Sequence, residues 1–291
     1  MTSKAARVDT IDDVSGQDRL EFNILGCGSS GGVPRIGNNW GSCDPNNSRN
    51  RRRRCSLLVE RTGLNGKTSV VIDTGADFRE QMLTTNVSDV DAVLYTHPHA
   101  DHIHGIDDLR VMAIALRRRI DVYMDDQTEE RLHHSFGYCF ESPPGSNYPP
   151  ILNGHHIDPV QPVVIDGAGG PISAMPIMQD HGEMHSLGFR INDIVYSSDV
   201  KDFPRDSLHL LEDIDIWILD ALRLTPHPSH FSLDDALEWI ERIKPKRAIL
   251  TNMHVDLDYE TLCNTLPDTV VPAYDGMTIL IRDGGTPEIS G

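Results

Sequence analysis

The run Tyr95-Thr96-His97-Pro98-His99-Ala100-Asp101-His102 constrains this chain more than any other stretch. Four groups able to ligate a metal, His97, His99, Asp101 and His102, fall within six positions, directly after the apolar residues Ala92-Val93-Leu94-Tyr95. A short, apolar, β-favouring run followed by a polar segment reads as a buried strand. Alternate side chains of a strand share a face, so His97 and His99 can point the same way at its end. If the chain then turns into a helix, Asp101 and His102 leave its first turn beside them. Imidazole and carboxylate are the donors expected for zinc and similar borderline divalent ions. A polar surface loop accounts poorly for three His and one Asp at this spacing.

Further candidate groups stand at other strand ends. Asp73, followed by Thr74-Gly75, closes the apolar run Ser69–Ile72, where a carboxylate can orient an imidazole through its free N–H. The small, apolar stretch 171–178 delivers His181. His185 competes with it, but a strand end fixes ligand geometry better than a loop centre. A hairpin over Leu187–Ile191 and Ile194–Tyr196 runs into Asp199, a carboxylate able to bridge two cations. Ile214–Asp220 is another strand, whose terminal Asp220 either reaches the site or caps the strand. Ser232 and Asp235 form a capping box, so a helix begins near Leu233 and His230 lies on the loop just ahead of it. Arg247–Asn252 is the last core strand, and His254 follows it. His104 is close by in sequence but is not needed for the pattern. His133, His134, His155 and His156 lack a strand-end setting and read as surface residues.

The 291 residues read as a polar, acidic tail over 1–19 and a single domain over 20–291. Net charge is −18, from 44 acidic and 26 basic residues, which disfavours a broad nucleic-acid surface. It does not disfavour a small anionic substrate, because bound divalent ions dominate their local field. Five cysteines without a C-x-x-C pair look like reduced thiols of a cytoplasmic protein. The first twenty residues have no apolar core of a signal peptide, and no stretch approaches the ~20 apolar residues of a membrane span. Gly26–Pro34 is glycine-rich and serves either as a tight turn or as an anion cradle. The basic run Arg51–Arg54 reads as ion pairs with an acidic surface or else as an oligomer or phosphate contact, outside the catalytic site. The proline- and aromatic-rich stretch 136–150 suits a lid or a packing loop.

The pattern H-x-H-x-D-H over His97–His102 resembles the hallmark of the metallo-β-lactamase fold superfamily. That resemblance implies an α/β fold, a four-layer αβ/βα sandwich, over nearly the whole chain. It assigns His97, His99 and His181 to a first metal, Asp101, His102 and His254 to a second, and Asp199 to a bridging place. Two divalent ions, Zn2+ or Mn2+, are therefore expected. Leu25–Pro34, the His230 segment and Tyr274-Asp275-Gly276-Met277 narrow the likeness to the phosphodiesterase branch, near the phosphoribosyl cyclic phosphate phosphodiesterases. This implies hydrolysis of a small cyclic phosphate or nucleotide-like phosphodiester by a metal-activated water, with His230 and Asp101 at the reacting centre. The implied partner is a small phosphorylated substrate, with no stable nucleic acid and no membrane; a homodimer is left open. That branch holds a structural zinc through several cysteines after the first strand. Here the corresponding loop keeps only Cys43, so no structural zinc is expected. Two alternatives share the ligands. A tRNA 3′-end-type nuclease would need a basic docking arm, and a thioesterase or glyoxalase-type hydrolase would not call for His230.

Overall fold

The computed structural model describes residues 18–282 and 284–290. Most of the tail expected over 1–19 lies outside the described residues, but Arg19 already opens the first strand and Asp18 binds Arg61 at 2.6 Å. Alternation along the strands then decides what meets what. In β1 (Arg19–Gly26), Phe22 and Ile24 face one side and Leu25 the other. The same split separates Leu57 and Val59 from Leu58 in β2 (Ser56–Gly63), and Val70 and Ile72 from Val71 in β3 (Gly66–Ile72). Both sets are buried, so this sheet is covered on both faces.

Among the described residues, fifteen strands form two sheets. Beyond β3 come β4 (Ala92–Leu94), β5 (Ile120–Met124), β6 (Leu152–His156), β7 (Val163–Ile165), β8 (Ile172–His181), β9 (Met184–Ile191) and β10 (Ile194–Ser197). The chain closes with β11 (Ile216–Asp220), β12 (Arg247–Thr251), β13 (Val270–Pro272), β14 (Thr278–Arg282) and β15 (Glu288–Ser290). The first sheet runs β15-β14-β1-β2-β3-β4-β5-β6 and the second β13-β12-β11-β10-β9-β8-β7. Strands β3 to β6 are parallel to one another, as are β10 to β13; β4, β10 and β11 are buried runs typical of strands covered on both faces, whereas β6 buries only Leu152.

The inter-sheet core joins Phe22, Leu57 and Leu94 of one sheet with Phe189, Trp217 and Ile249 of the other. Helices α1 (Phe78–Thr85), α3 (Leu109–Leu116) and α4 (Asp126–Phe136) cover the outer face of the first sheet through Phe78, Met82, Leu109, Met112 and Leu132. Phe140 joins that cluster, so the beginning of the 136–150 stretch packs, while Tyr148 stays exposed. On the second sheet, α5 (Leu233–Ile243) buries Ala236 and Ile240. Its start carries the expected capping box between Ser232 and Asp235, a device worth about 1 kcal/mol. The short α2 (Ala100–Ile103) and α6 (Tyr259–Thr265) complete the helices. The result is the four-layer αβ/βα sandwich.

This layering positions the site. The C-terminal ends of β3 and β4 in one sheet meet those of β10, β11 and β12 in the other. Clefts at the carboxyl ends of parallel strands are where α/β proteins gather functional groups.

Candidate metal centre

The centre is built on Asp73, the first residue past β3 and fully buried, with a left-handed φ of 65°. Its Oδ1 accepts the Thr96 backbone N–H at 2.8 Å, and its Oδ2 accepts the Thr96 hydroxyl and His102 Nδ1–H, each at 2.7 Å. The Thr96 oxygen in turn lies 2.9 Å from His97 Nδ1. With its proton donated to Asp73, that oxygen accepts, so His97 carries its proton on Nδ1. The network thus assigns both tautomers and turns the bare Nε2 atoms of His97 and His102 toward the cleft. Close backbone contacts explain the glycines nearby. A Cβ on Gly75 would stand 2.0 Å from the Asp101 carbonyl oxygen, and one on Gly105 would stand 2.2 Å from that of Gly75. Only glycine lets the β3 end and α2 pack this tightly.

Three imidazoles converge above this base. His97 Nε2 lies 2.9 Å and His181 Nε2 3.2 Å from His99 Nδ1. His181 is the last residue of β8, and its Nδ1–H donates to the Ser229 carbonyl at 2.7 Å, leaving Nε2 as a lone pair. Gly182, at φ +73°, permits this, since a Cβ there would stand 2.7 Å from that of Ser229. Burial holds all three imidazoles below the usual histidine range, so they present neutral donors. His185 is elsewhere, paired with Asp125 at 2.6 Å, and His104 sits against Phe136.

Next to this trio lies an acidic half. His102 Nε2 faces Asp101 Oδ2 at 3.4 Å and Asp199 Oδ2 at 3.2 Å. Asp199 Oδ1 lies 4.0 Å from His97 Nε2 and 3.7 Å from His230 Nδ1, which puts this carboxylate between the two halves. Burial opposes its charge, but His102, then His97 and His230, hold it well below the usual carboxylate range. His102 Nε2 and Asp199 Oδ2 are both buried and without a hydrogen-bond partner. Burial opposes a charge on His102, yet Asp199, Asp101 and Asp73 outweigh it, so this nitrogen holds either a proton or a metal ion against the carboxylate oxygens. This donor set therefore fits a divalent ion.

His254 stands apart from these compact groups. Its Nδ1–H donates to Asp256 Oδ1 at 2.8 Å, and its Nε2 accepts from the Arg35 guanidinium. His230 Nδ1 meets the fully buried Asp220 at 2.8 Å. Burial works against charging His230, yet Asp220 and then Asp199 outweigh it and lift the imidazole to about 9. The strand-end carboxylate of β11 thus reaches the site instead of capping its strand. The Arg51–Arg54 run does more than pair with an acidic surface. Arg53 binds Asp275 at 3.0 Å and Arg54 binds Asp77 at 2.8 Å, but Arg52 is buried and reaches Asn50 Oδ1 and the His254 carbonyl oxygen. Sequence reasoning missed Arg35, Arg52 and Thr96, whose roles rest on contacts distant in sequence or on a hydroxyl with no pattern around it. Cys43 is buried near Arg52 Nη1 and belongs to none of the metal-capable clusters among the described residues.

Comparison with known proteins bears on this geometry. Residues 68–253, more than half of the chain, match the model of the beta-lactamase superfamily domain. The chain belongs to the β-lactamase superfamily. A solved diphosphatase of the PhnP family is 33% identical, with 91% of this chain and 98% of that one covered and a TM-score of 0.81. Human tRNase Z, short form, is 14% identical over 89% of this chain and 98% of that one, with a TM-score of 0.59, a likeness of fold alone. A Porphyromonas gingivalis W83 protein named octanoyltransferase is 30% identical over 267 residues, 90% of this chain but 52% of its own length. The chain thus spans about half of that relative. Within the superfamily the chain resembles the PhnP branch. None of its described helices is long and apolar enough to cross a membrane.

Proposed function

We propose that this β-lactamase superfamily member is a dinuclear phosphodiesterase for a small cyclic phosphate or nucleotide-like phosphodiester. The observation that carries the reading is the His230–Asp220 pair set beside the His97, His99, His181 and Asp199 cluster. His97 Nε2, His99 Nδ1 and His181 Nε2 would hold one ion. Asp101, His102 and His254 would hold the other, with Asp199 shared. Zinc and manganese both suit such a set. When bound, such ions supply an activated water and neutralise phosphoryl oxygens.

The protein groups do the rest. Asp73 keeps His97 and His102 in the ligating tautomer, directly and through Thr96. Asp220 holds His230 through Nδ1, so Nε2–H is the atom available to bind a phosphoryl oxygen or to protonate a leaving alkoxide. A carboxylate-oriented histidine is what a phosphodiester needs and a thioester, with its good leaving group, does not. The tRNA-nuclease reading lacks a basic arm among the described residues. Nor does the octanoyltransferase name fit well. Cys27, Cys43, Cys55 and Cys139 are buried and their thiols are pushed up chiefly by burial, which leaves them poor acyl acceptors, while the exposed Cys263 stands on α6 and belongs to none of the metal-capable groups. Five unpaired cysteines suit the reducing cytoplasm.

The test is a screen of the zinc- or manganese-loaded protein against cyclic phosphodiesters, nucleotide diesters, thioesters and lactams, with elemental analysis alongside. Two ions per chain and turnover confined to phosphodiesters are expected. His230→Ala should keep the ions and lose roughly 10²–10⁴-fold in rate on an alkyl diester, but less on a nitrophenyl diester if His230 is the acid. Unchanged turnover of both esters would remove His230 from the chemistry, and thioester turnover alone would replace the reading.

A further inference from the structure

Only Leu152 of β6 is buried, so no apolar run announces that strand, and His156 reads from the sequence as a surface residue without a strand-end setting. In the structure His156 is the last residue of β6 and pairs in register with Met124, the last residue of β5. Ile157 N then donates to the Met124 carbonyl at 2.8 Å. From Met124 the chain passes through Asp125 into α4. Asp125 caps that helix, its Oδ1 accepting the Thr128 N–H at 2.8 Å. Backbone bonds and a cap therefore fix the end of β6 against the first turn of α4.

Four potential ligands gather at this juncture. Asp126, Glu129 and His133 stand at i, i+3 and i+7, so they line one strip of α4. One donor atom from each of Asp126, Glu129 and His156 lies within 4.8 Å of the other two. His156 Nδ1 is 2.9 Å from Asp126 Oδ1, and His133 Nε2 is 3.8 Å from Glu129 Oε1. The His133 ring stacks on Phe140, with centroids 4.5 Å apart, which limits its rotation. Among the described residues neither carboxylate has a Lys or Arg partner. Two carboxylates this close repel, and exposed pairs with histidine repay little of that cost. A divalent ion removes the repulsion. Donors bound 2.0–2.2 Å from one ion stand roughly 3–4.4 Å apart, so small rotations of these exposed side chains complete a shell. Two imidazoles with two carboxylates suit zinc or nickel better than calcium or magnesium, which prefer oxygen alone.

We propose that Asp126, Glu129, His133 and His156 form a further metal site, for a zinc-type divalent ion, that clips the start of α4 to the end of β6. It shares no residue with the candidate centre and does not rest on the phosphodiesterase reading. The ion closes the segment 134–155 between its anchors, and a clip that binds only the folded chain stabilises it. Being exposed, the site should empty on dialysis before the buried centre does. The test uses the full chain with its candidate centre already zinc-saturated and titrates further zinc by calorimetry. Wild type should take up one ion more than the double variant Glu129→Gln, His156→Ala, with circular dichroism confirming that both are folded. The added zinc should raise the wild-type Tm by roughly 2–4 °C and leave that of the double variant unchanged. His155→Ala alters the neighbouring imidazole, which pairs with Asp121, and should keep the extra ion. Excess calcium should not displace it. No uptake beyond the saturated centre would overturn the proposal, and uptake that persists in the double variant would make the extra zinc an adventitious ion only. Loss of the ion in His155→Ala, or its displacement by calcium, would overturn it as well, leaving an acidic patch without a defined shell.

Discussion

The segment 95–105 carries His97, His99, Asp101 and His102, and the loop 27–54 packs against His254, yet they are held in opposite ways. The first is a strand end and one helical turn, fixed by a single buried carboxylate, Asp73, and by glycines at the points of closest approach. The second has almost no regular structure and is fastened residue by residue to distant parts of the chain. Arg53 goes to Asp275, Arg54 to Asp77, Asn50 to Asp258 and Tyr259, and Arg52 to the His254 carbonyl. The difference teaches where tolerance lies. A site on a tightly packed strand end has little room for change, whereas a loop with many separate fastenings should yield in small steps.

The largest expected effect sets one glycine against another. Gly75→Ala drives a methyl to 2.0 Å from the Asp101 carbonyl oxygen, so the β3 end and α2 must separate. We expect it to destabilise the protein by about 3 kcal/mol or more. Gly37→Ala in the loop, at φ +87° with nothing within 4 Å, should cost only about 1–2 kcal/mol of backbone strain. Urea unfolding of both variants measures the pair, and similar losses would erase the contrast between the two regions.

A second test separates the ligands from their support. Asp73→Ala removes the acceptor of His102 directly and that of His97 through Thr96. If the centre is dinuclear as proposed, both ions should bind about 10- to 100-fold more weakly, as found when orienting partners of metal ligands are removed. Competition with a fluorescent chelator reads this, and an effect on one ion alone would show that Thr96 does not relay the constraint.

The smallest effect belongs to a loop fastening. Burial opposes a charge on Asp258, but N–H donors from Thr261, Asp44 and Asn50 hold its carboxyl at about 2. A depressed folded value means stabilisation that is present above the unfolded pKa near 4 and is lost as pH falls toward 2. Because this group is largely solvated, the contribution is discounted to about 1 kcal/mol. Asp258→Asn should flatten the acid limb of stability between pH 4 and 2 by that amount, and an unchanged slope would assign the acid sensitivity elsewhere.

The sequence by itself determined the strands and the strand-end histidines, and through the likeness of its histidine motif the sandwich. The first two follow from local rules: apolar alternation makes the strands, and a polar residue just past an apolar run has nowhere to go but the sheet edge. His97, His99, His181 and Asp199 were legible for that reason, Asp101 and His102 from the spacing of the motif and His230 from its place ahead of a capping box, and the structure gathers them in one cleft. His254 was legible as a strand-end histidine, but its present partners, Arg35 and Asp256, were not. The Asp220–His230 pair, the Thr96 relay and the several duties of Arg51–Arg54 were decided only by tertiary structure. Each joins a side chain to a partner set by how neighbouring strand ends and loops stack: β3 beside β4, β11 beside the loop before α5, and the 27–54 loop beside the residues that follow β12. Hydrogen-bond partners at such separations leave no periodicity in the chain, because only the packed layers bring them within 3 Å.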